Sequence, residues 1–176
     1  QDSLLLARAM ALSSDAEWED GRAVGEPTEN ALVTHAANKG LPKDELKAAW
    51  RRVGEAPFDS SRKLMSTIVE DSMGRLTQFT KGAPDELLKR CDYWWDGSGA
   101  QAMTNEKRAD ILRQNTEMAN KALRVLGAAC RDWESMPQDQ HPATLEQELV
   151  FIGLLGMLDP VRPEVLPAIE ECKHAG

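Results

Sequence analysis

Apolar residues recur at helical spacing near the start of the chain, where Leu4, Leu5, Ala7, Ala9, Met10 and Leu12 form a stripe that predicts a first helix over residues 3–12. The acidic stretch at 15–20 predicts a surface loop. Pro27 suits the first turn of a second helix, where its missing N–H would be unpaired anyway. Leu32, Val33, Ala36 and Ala37 give that helix an apolar face that ends before Gly40. Residues 41–52 predict a third helix. The period then changes. Residues 63–70 and 76–80 alternate or run β-branched, with Asp71, Ser72, Met73 and Gly74 between them as turn formers, and the pattern is that of a hairpin. Helices are predicted over 84–90 and 105–121, the second with Ile111, Leu112, Met118 and Ala119 on one face, and central strands over 123–129 and 149–158. Residues 96–100 and 134–144 are loops by composition. Asp159, Pro160, Val161, Arg162 and Pro163 predict a rigid bend, with a last helix over 164–173.

Antiparallel strands with helices set around them predict an α+β domain. A chain of 176 residues suits one core, with at most a stub of a second. Its 41% apolar and 28% charged residues are those of a folded protein and exclude a disordered tail as the main content. The formal charge of −8 argues against nucleic acid or an anionic leaflet as a partner, so any phosphate-bearing ligand needs a local basic pocket. No apolar run approaches the roughly 20 residues that span a bilayer, and no signal-peptide layout is present, so the chain as it stands is expected to be soluble. Cys91, Cys130 and Cys172 form no CxxC pair and read as small buried side chains in a reducing compartment. His35, His141 and His174 are scattered, and no metal site is expected.

Four segments occur in order: Gly25-Glu26-Pro27-Thr28-Glu29, Pro57-Phe58-Asp59-Ser60-Ser61-Arg62-Lys63, Lys81-Gly82-Ala83-Pro84-Asp85 and Gly156-Met157-Leu158-Asp159-Pro160-Val161-Arg162. Together they resemble the nucleotide-binding domain of P-type cation-transporting ATPases of the calcium-pump and sodium-pump branch, leaning to the calcium type. The resemblance covers nearly the whole chain. It implies an antiparallel sheet flanked by helices over 1–157, and a hinge with the first helix of the phosphorylation domain over 158–176, Asp159 and Arg162 belonging to the hinge. It implies ATP as ligand, with Mg in the intact pump. The remaining phosphorylation, actuator and transmembrane domains are the implied partners, and the cytoplasmic side of a membrane is the implied location.

The resemblance also assigns roles, each beside a plainer reading of the residue. Lys81 closes a strand before a glycine that lets a ligand approach; the family's matching lysine lines the adenine pocket and Gly82 leaves it room, whereas alone the pair reads as a surface lysine before a turn. Phe58 offers a ring for purine stacking, as the family's phenylalanine does, or a core aromatic. Arg62 and Lys63 are expected on opposite faces of a strand, and Lys63 is taken as the phosphate neighbour. Asp59 and Ser60 stand where calcium pumps often carry serine and arginine, which makes that side less basic. Glu29 sits in the first turn of a helix, where the dipole favours a carboxylate; the family's glutamate accepts from the adenine amino group, and guanine's keto oxygen cannot donate to it. Glu26 reads as a cap or surface residue. Arg124, expected mid-strand among apolar neighbours, needs a ligand or an acid; the family's arginine reaches the phosphates.

The phosphorylation motif Asp-Lys-Thr-Gly-Thr and the Thr-Gly-Asp loop are absent, so ATP binding without turnover is expected and no catalytic residue is assigned. A Walker-type lysine loop is also missing. Two other classes remain: a haloacid-dehalogenase-type phosphatase, which would need an Asp-x-Asp at a strand end, and an adaptor that keeps the pump-domain fold without the nucleotide.

Overall fold

The computed structural model describes residues 2–158 and 169–170. The first helix, α1 (Asp2–Leu12), lacks β-branched residues and buries Leu6, Ala7, Ala9, Met10, Ala11 and Leu12 almost completely. It stops where Ser13 and Ser14 turn their hydroxyls back onto the Ala9 and Met10 carbonyls, at 2.6 and 2.7 Å. The acidic stretch expected as a loop is instead part of a small hairpin, β1 (Glu17–Glu19) with β2 (Arg22–Val24). Asp20 and Gly21, both at positive φ, are its two-residue turn.

Helix α2 (Pro27–Asn38) has its proline in the first turn and ends at Gly40 (φ 86°). The N–H groups of Gly40 and Leu41 close onto Ala37 and Ala36, and Leu41 packs on the core as the hydrophobic partner of such a cap. The third helix is shorter than expected. α3 (Lys43–Ala49) gives way after Trp50 to strand β3 (Arg51–Asp59), so Arg51 and Arg52 belong to a sheet edge.

The predicted hairpin is present as β4 (Leu64–Glu70) and β5 (Leu76–Gly82), with Asp71 accepting from the N–H groups of Met73 and Arg75 in the turn. Next come α4 (Pro84–Leu88), β6 (Cys91–Trp95), β7 (Ala100–Ala102), α5 (Asn105–Asn120), β8 (Arg124–Trp133), α6 (Pro142–Leu145), β9 (Leu149–Met157) and β10 (Ile169–Glu170). Strands β6 and β7 flank the loop expected at 96–100, where the Asp96 carboxylate is drawn down to about 2 by the backbone N–H groups of Ser98 and Gly99. In α5, capped by Thr104, Ile111 and Met118 are buried, while Ala119 faces out rather than joining them. At 169–170 the helix expected over 164–173 is overturned, because Ile169–Glu170 pairs antiparallel with Gly156 and Leu155 of β9. The rest of that helix and the bend at 159–163 lie outside the described residues.

The main sheet runs β3-β4-β5-β8-β9-β6-β7 with β10 on β9, antiparallel except for the β6–β9 pair. One face carries α1, α2 and α3 over Val69, Phe79, Ala128 and Leu155; the other carries α4 and α5 over Leu64, Ala129, Phe151 and Leu154. Coverage on both faces explains why β4 reads as an unbroken buried run rather than an alternation.

Lys43, the first residue of α3, is nearly inaccessible and donates to the Ser14 and Ala16 carbonyls at 2.8 Å each. Desolvation lowers its ammonium to about 8; Glu17 and Glu29 oppose the shift, and Arg52 and Lys47 add to it. Between about 8 and the unfolded lysine value of about 10.4 the unfolded chain binds more protons, so stability rises with pH there; below that window the deficit is constant. Wild type is therefore expected to gain about 2 kcal/mol relative to Lys43→Met between pH 7.5 and 10, measured as urea midpoints at each pH. A flat difference would show that the two carbonyls keep the lysine charged.

Candidate functional site

At the end of the sheet where β4 begins and β5 ends, the register joins residues far apart in sequence. Met65 pairs with Lys81, and Lys81 with Ala128. Between Ala56, opposite Ser66, and Asp59, opposite Leu64, two residues of β3 stand against the single Met65, a bulge that includes Phe58. Strand alternation and pairing then put Met65, Lys81 and, beyond the end of β5, Arg124 on one face, with Phe58 in the bulge that stands opposite Met65. It is the face covered by α1 and α2.

Lys81 is the buried centre of this group, with its side chain only 8% exposed. Its Nζ lies 3.3 Å from Glu29 Oε2 and 2.8 Å from the Met65 sulfur. Burial lowers the lysine from its ordinary value, while Glu29 first, then Asp15 and Glu26, hold the charge on it. Glu29, in the first turn of α2, uses its other oxygen to accept the Asp15 backbone N–H at 2.9 Å. The fold thus makes a carboxylate–ammonium pair from residues 52 apart in sequence, with the lysine too buried to be the surface lysine of the plainer reading. Glu26 occupies the N-cap position of α2 without a side-chain capping bond.

Phe58 is 61% exposed, so it is not a core aromatic. A ring held in water on a bulge above a buried ion pair is available to a planar ligand.

Two expectations about cations change. Lys63 and Arg62 do not sit on opposite faces of a strand, because both lie in the turn between β3 and β4, with Lys63 at φ 62° and exposed. Arg62 is occupied: it grips Glu146 through Nε at 2.7 Å and Nη2 at 3.0 Å. Arg124 is the first residue of β8, exposed, and not a charge stranded inside an apolar strand; the burial argument for a partner fails, and its place at the same sheet end as Lys63 remains. Beside them Asp59 is held below the usual carboxylate range by the Ser61 N–H and hydroxyl, so it stays ionised and this end is less basic than two cations alone would make it.

Gly82 has a role that pattern alone did not show. A Cβ there would stand 2.1 Å from the Lys63 carbonyl oxygen and 2.7 Å from a Leu64 methyl. The missing side chain makes room for the chain's own turn. Asp159 and Arg162 lie outside the described residues.

Sequence reasoning missed Glu146, fully buried and holding Arg62 and Ser66, and Asp15, whose N–H fixes Glu29. A cleft of about 370 Å³ lies on the far side of Asp15, lined by Lys43, Lys47, Trp50, Arg51 and Arg52. Among the described residues no helix is long and apolar enough to cross a membrane.

This arrangement accompanies a clear relationship. The chain is 39% identical over 175 residues to "Calcium-transporting ATPase 1" of Bacillus cereus, an alignment covering 98% of this chain and 19% of that protein. It is likewise 39% identical over 176 residues to "Calcium-transporting ATPase" of Bacillus subtilis, covering 98% and 20%. Against "Calcium-transporting ATPase 2, endoplasmic reticulum-type" of Arabidopsis thaliana it is 31% identical over 196 aligned positions, covering 88% and 19%. The chain therefore spans about a fifth of the length of these relatives. Residues 2–164 match the family described as P-type ATPase, cytoplasmic domain N, and the α+β sheet with its Glu29–Lys81 pair and exposed Phe58 belongs to a member of that family.

Proposed function

We propose that this domain binds ATP at the Phe58–Lys81–Glu29 face and, in the intact protein, presents it for phosphorylation of an aspartate outside this chain, driving transport of a cation, calcium by the names of its relatives. The observation that carries the reading is the meeting of a buried lysine–carboxylate pair with an exposed aromatic ring at one end of the sheet.

In this reading the purine stacks on Phe58, a contact worth roughly 1 to 3 kcal/mol, with Lys81 at the base of the pocket. Glu29 accepts from the adenine amino group. One of its oxygens is already bound to Asp15 and the other is shared with Lys81, so the carboxylate is preorganised as an acceptor. Lys63 and Arg124 address the phosphates from the end of the sheet. Mg would arrive with the nucleotide; within this chain, the described residues include no group of three or more His, Cys, Asp or Glu suited to hold a metal. The mechanism is positioning: the domain captures ATP and holds the γ-phosphate in line with an acceptor on a neighbouring domain. Partners of that kind, a hinge containing Asp159 and Arg162 after residue 157, and a location on the cytoplasmic side of a membrane belong to the same proposal.

Calorimetric titration with ATP and GTP tests it. Wild type is expected to bind ATP in preference to GTP. Phe58→Ala should lose roughly 5- to 160-fold in ATP affinity, and Lys81→Ala should lose affinity too, both with unchanged circular dichroism. A folded wild type that takes up no ATP at millimolar concentration would overturn the reading in favour of a nucleotide-free adaptor.

A further inference from the structure

Glu29 can discriminate bases only if its carboxylate stays where the lysine and the base both meet it, and its second anchor is a backbone N–H on an irregular segment, residues 13–15 after α1. That segment needs its own support. From below, the Ser13 and Ser14 hydroxyls tie it to the last turn of α1. From the cleft side, Arg52 on β3 reaches across: Nη1 donates to the Asp15 carboxylate at 2.9 Å, and Nη2 to the Ser14 and Leu12 carbonyls at 3.0 and 3.3 Å. Glu55, 3.4 Å from Nη1, keeps the guanidinium oriented, and Lys43 shares the Ser14 carbonyl.

We infer that Arg52 is a positioning residue for base recognition: by clamping the Leu12 and Ser14 carbonyls and the Asp15 carboxylate, it fixes the Asp15 N–H that holds Glu29. The inference rests on the nucleotide reading above. Its physical basis is the planar fork of arginine, which spans three acceptors on one turn of chain; a lysine ammonium reaches them as a point charge and cannot hold the same geometry. Loss of the fork leaves Ser14 on its hydroxyl and Lys43 bonds but removes the Arg52 hold on the Asp15 carboxylate, which loosens the Asp15 N–H on Glu29 and lets the Glu29 carboxylate swing toward Lys81. An acceptor that has moved no longer separates an amino group from a keto group.

The test uses ATP and ITP, which differ at the purine 6-position as amino and keto, titrated calorimetrically into wild type, Arg52→Ala, Arg52→Lys, Glu29→Gln and the Arg52→Ala/Glu29→Gln pair. The ATP-to-ITP affinity ratio is expected to fall roughly fivefold in Arg52→Ala and less in Arg52→Lys. In the Glu29→Gln background, Arg52→Ala should change the ratio no further, which a merely destabilising role would not produce. If Arg52→Ala does not fold, Asp15→Ala, which cuts the side-chain link while sparing the N–H, is expected to lower the ratio in the same direction. A folded Arg52→Ala with the wild-type ratio, or an equal drop in both backgrounds, overturns the inference while leaving ATP binding intact. Wild type without ATP binding overturns the nucleotide reading and this inference with it.

Discussion

Glu146→Ala is expected to destabilise the domain by about 3–5 kcal/mol, lowering the melting temperature by roughly 10 °C. The Glu146 side chain has no exposed surface, yet it accepts from Arg62 Nε at 2.7 Å, from Arg62 Nη2 at 3.0 Å and from the Ser66 hydroxyl at 2.6 Å. Ser66 continues to Thr80, Thr80 to Gln78, and Gln78 to the Leu145 carbonyl and the Trp133 indole. Removing the acid strands a guanidinium that is only 13% exposed. Its remaining hydrogen bonds go to the Ala56 and Pro57 carbonyls, and the other acid beside it, Asp59, stands 4.0 Å from Nη1 and is half-exposed, too distant and too solvated to replace the buried partner. The loss outweighs what the pair itself contributes, because an uncompensated buried charge costs more than a buried ion pair gains. Glu146→Leu combined with Arg62→Met should therefore cost less than Glu146→Ala alone. Urea melts with unchanged m-values check both statements; a Glu146→Ala loss below 1 kcal/mol would show that water reaches Arg62.

That network lies on the sheet face opposite the candidate site, and it fixes the end of β3 and the turn that follows. Phe58 and Lys63 are thus held from behind. Nothing in the local sequence announces it. Glu146 sits 84 residues from Arg62 in a polar stretch with no periodicity, and only the packing of α6 on β3, β4 and β5 brings it under the turn. What was legible was local: α1 and α2 from apolar spacing and end signals, and the β4–β5 hairpin from its change of period. Strand β3 was hidden because Lys47, Ala48 and Ala49 favour helix and Gly54 and Pro57 weaken the strand pattern. The β1–β2 hairpin had its signal in Asp20-Gly21 and was masked by the acids around it. The site residues were reached through family resemblance, since spacing alone could not pair Glu29 with Lys81, and the assumption of a regular strand misplaced Arg62, Lys63 and Arg124. A turn and a strand end obey no alternation.

Gly82→Ala is expected to cost about 3 kcal/mol, and the reason separates two roles for this glycine. The added carbon would stand 2.1 Å from the Lys63 carbonyl oxygen, 2.7 Å from a Leu64 methyl and 3.0 Å from the Leu64 Cα. Two of these neighbours are backbone atoms that no rotamer change can withdraw. The strand end must part from Leu64, or the turn must lift, and either movement strains the bond from the Ala83 N–H to the Lys63 carbonyl at 3.2 Å. A shift of this turn moves Lys63 and Phe58 relative to Lys81, so ATP affinity is expected to fall together with stability. Denaturant melts and ATP titration of the same variant decide the matter. Stability and affinity lost together assign Gly82 to the packing of the turn, whereas stability kept within 1 kcal/mol with ATP binding abolished would assign the space beside Gly82 to the nucleotide instead.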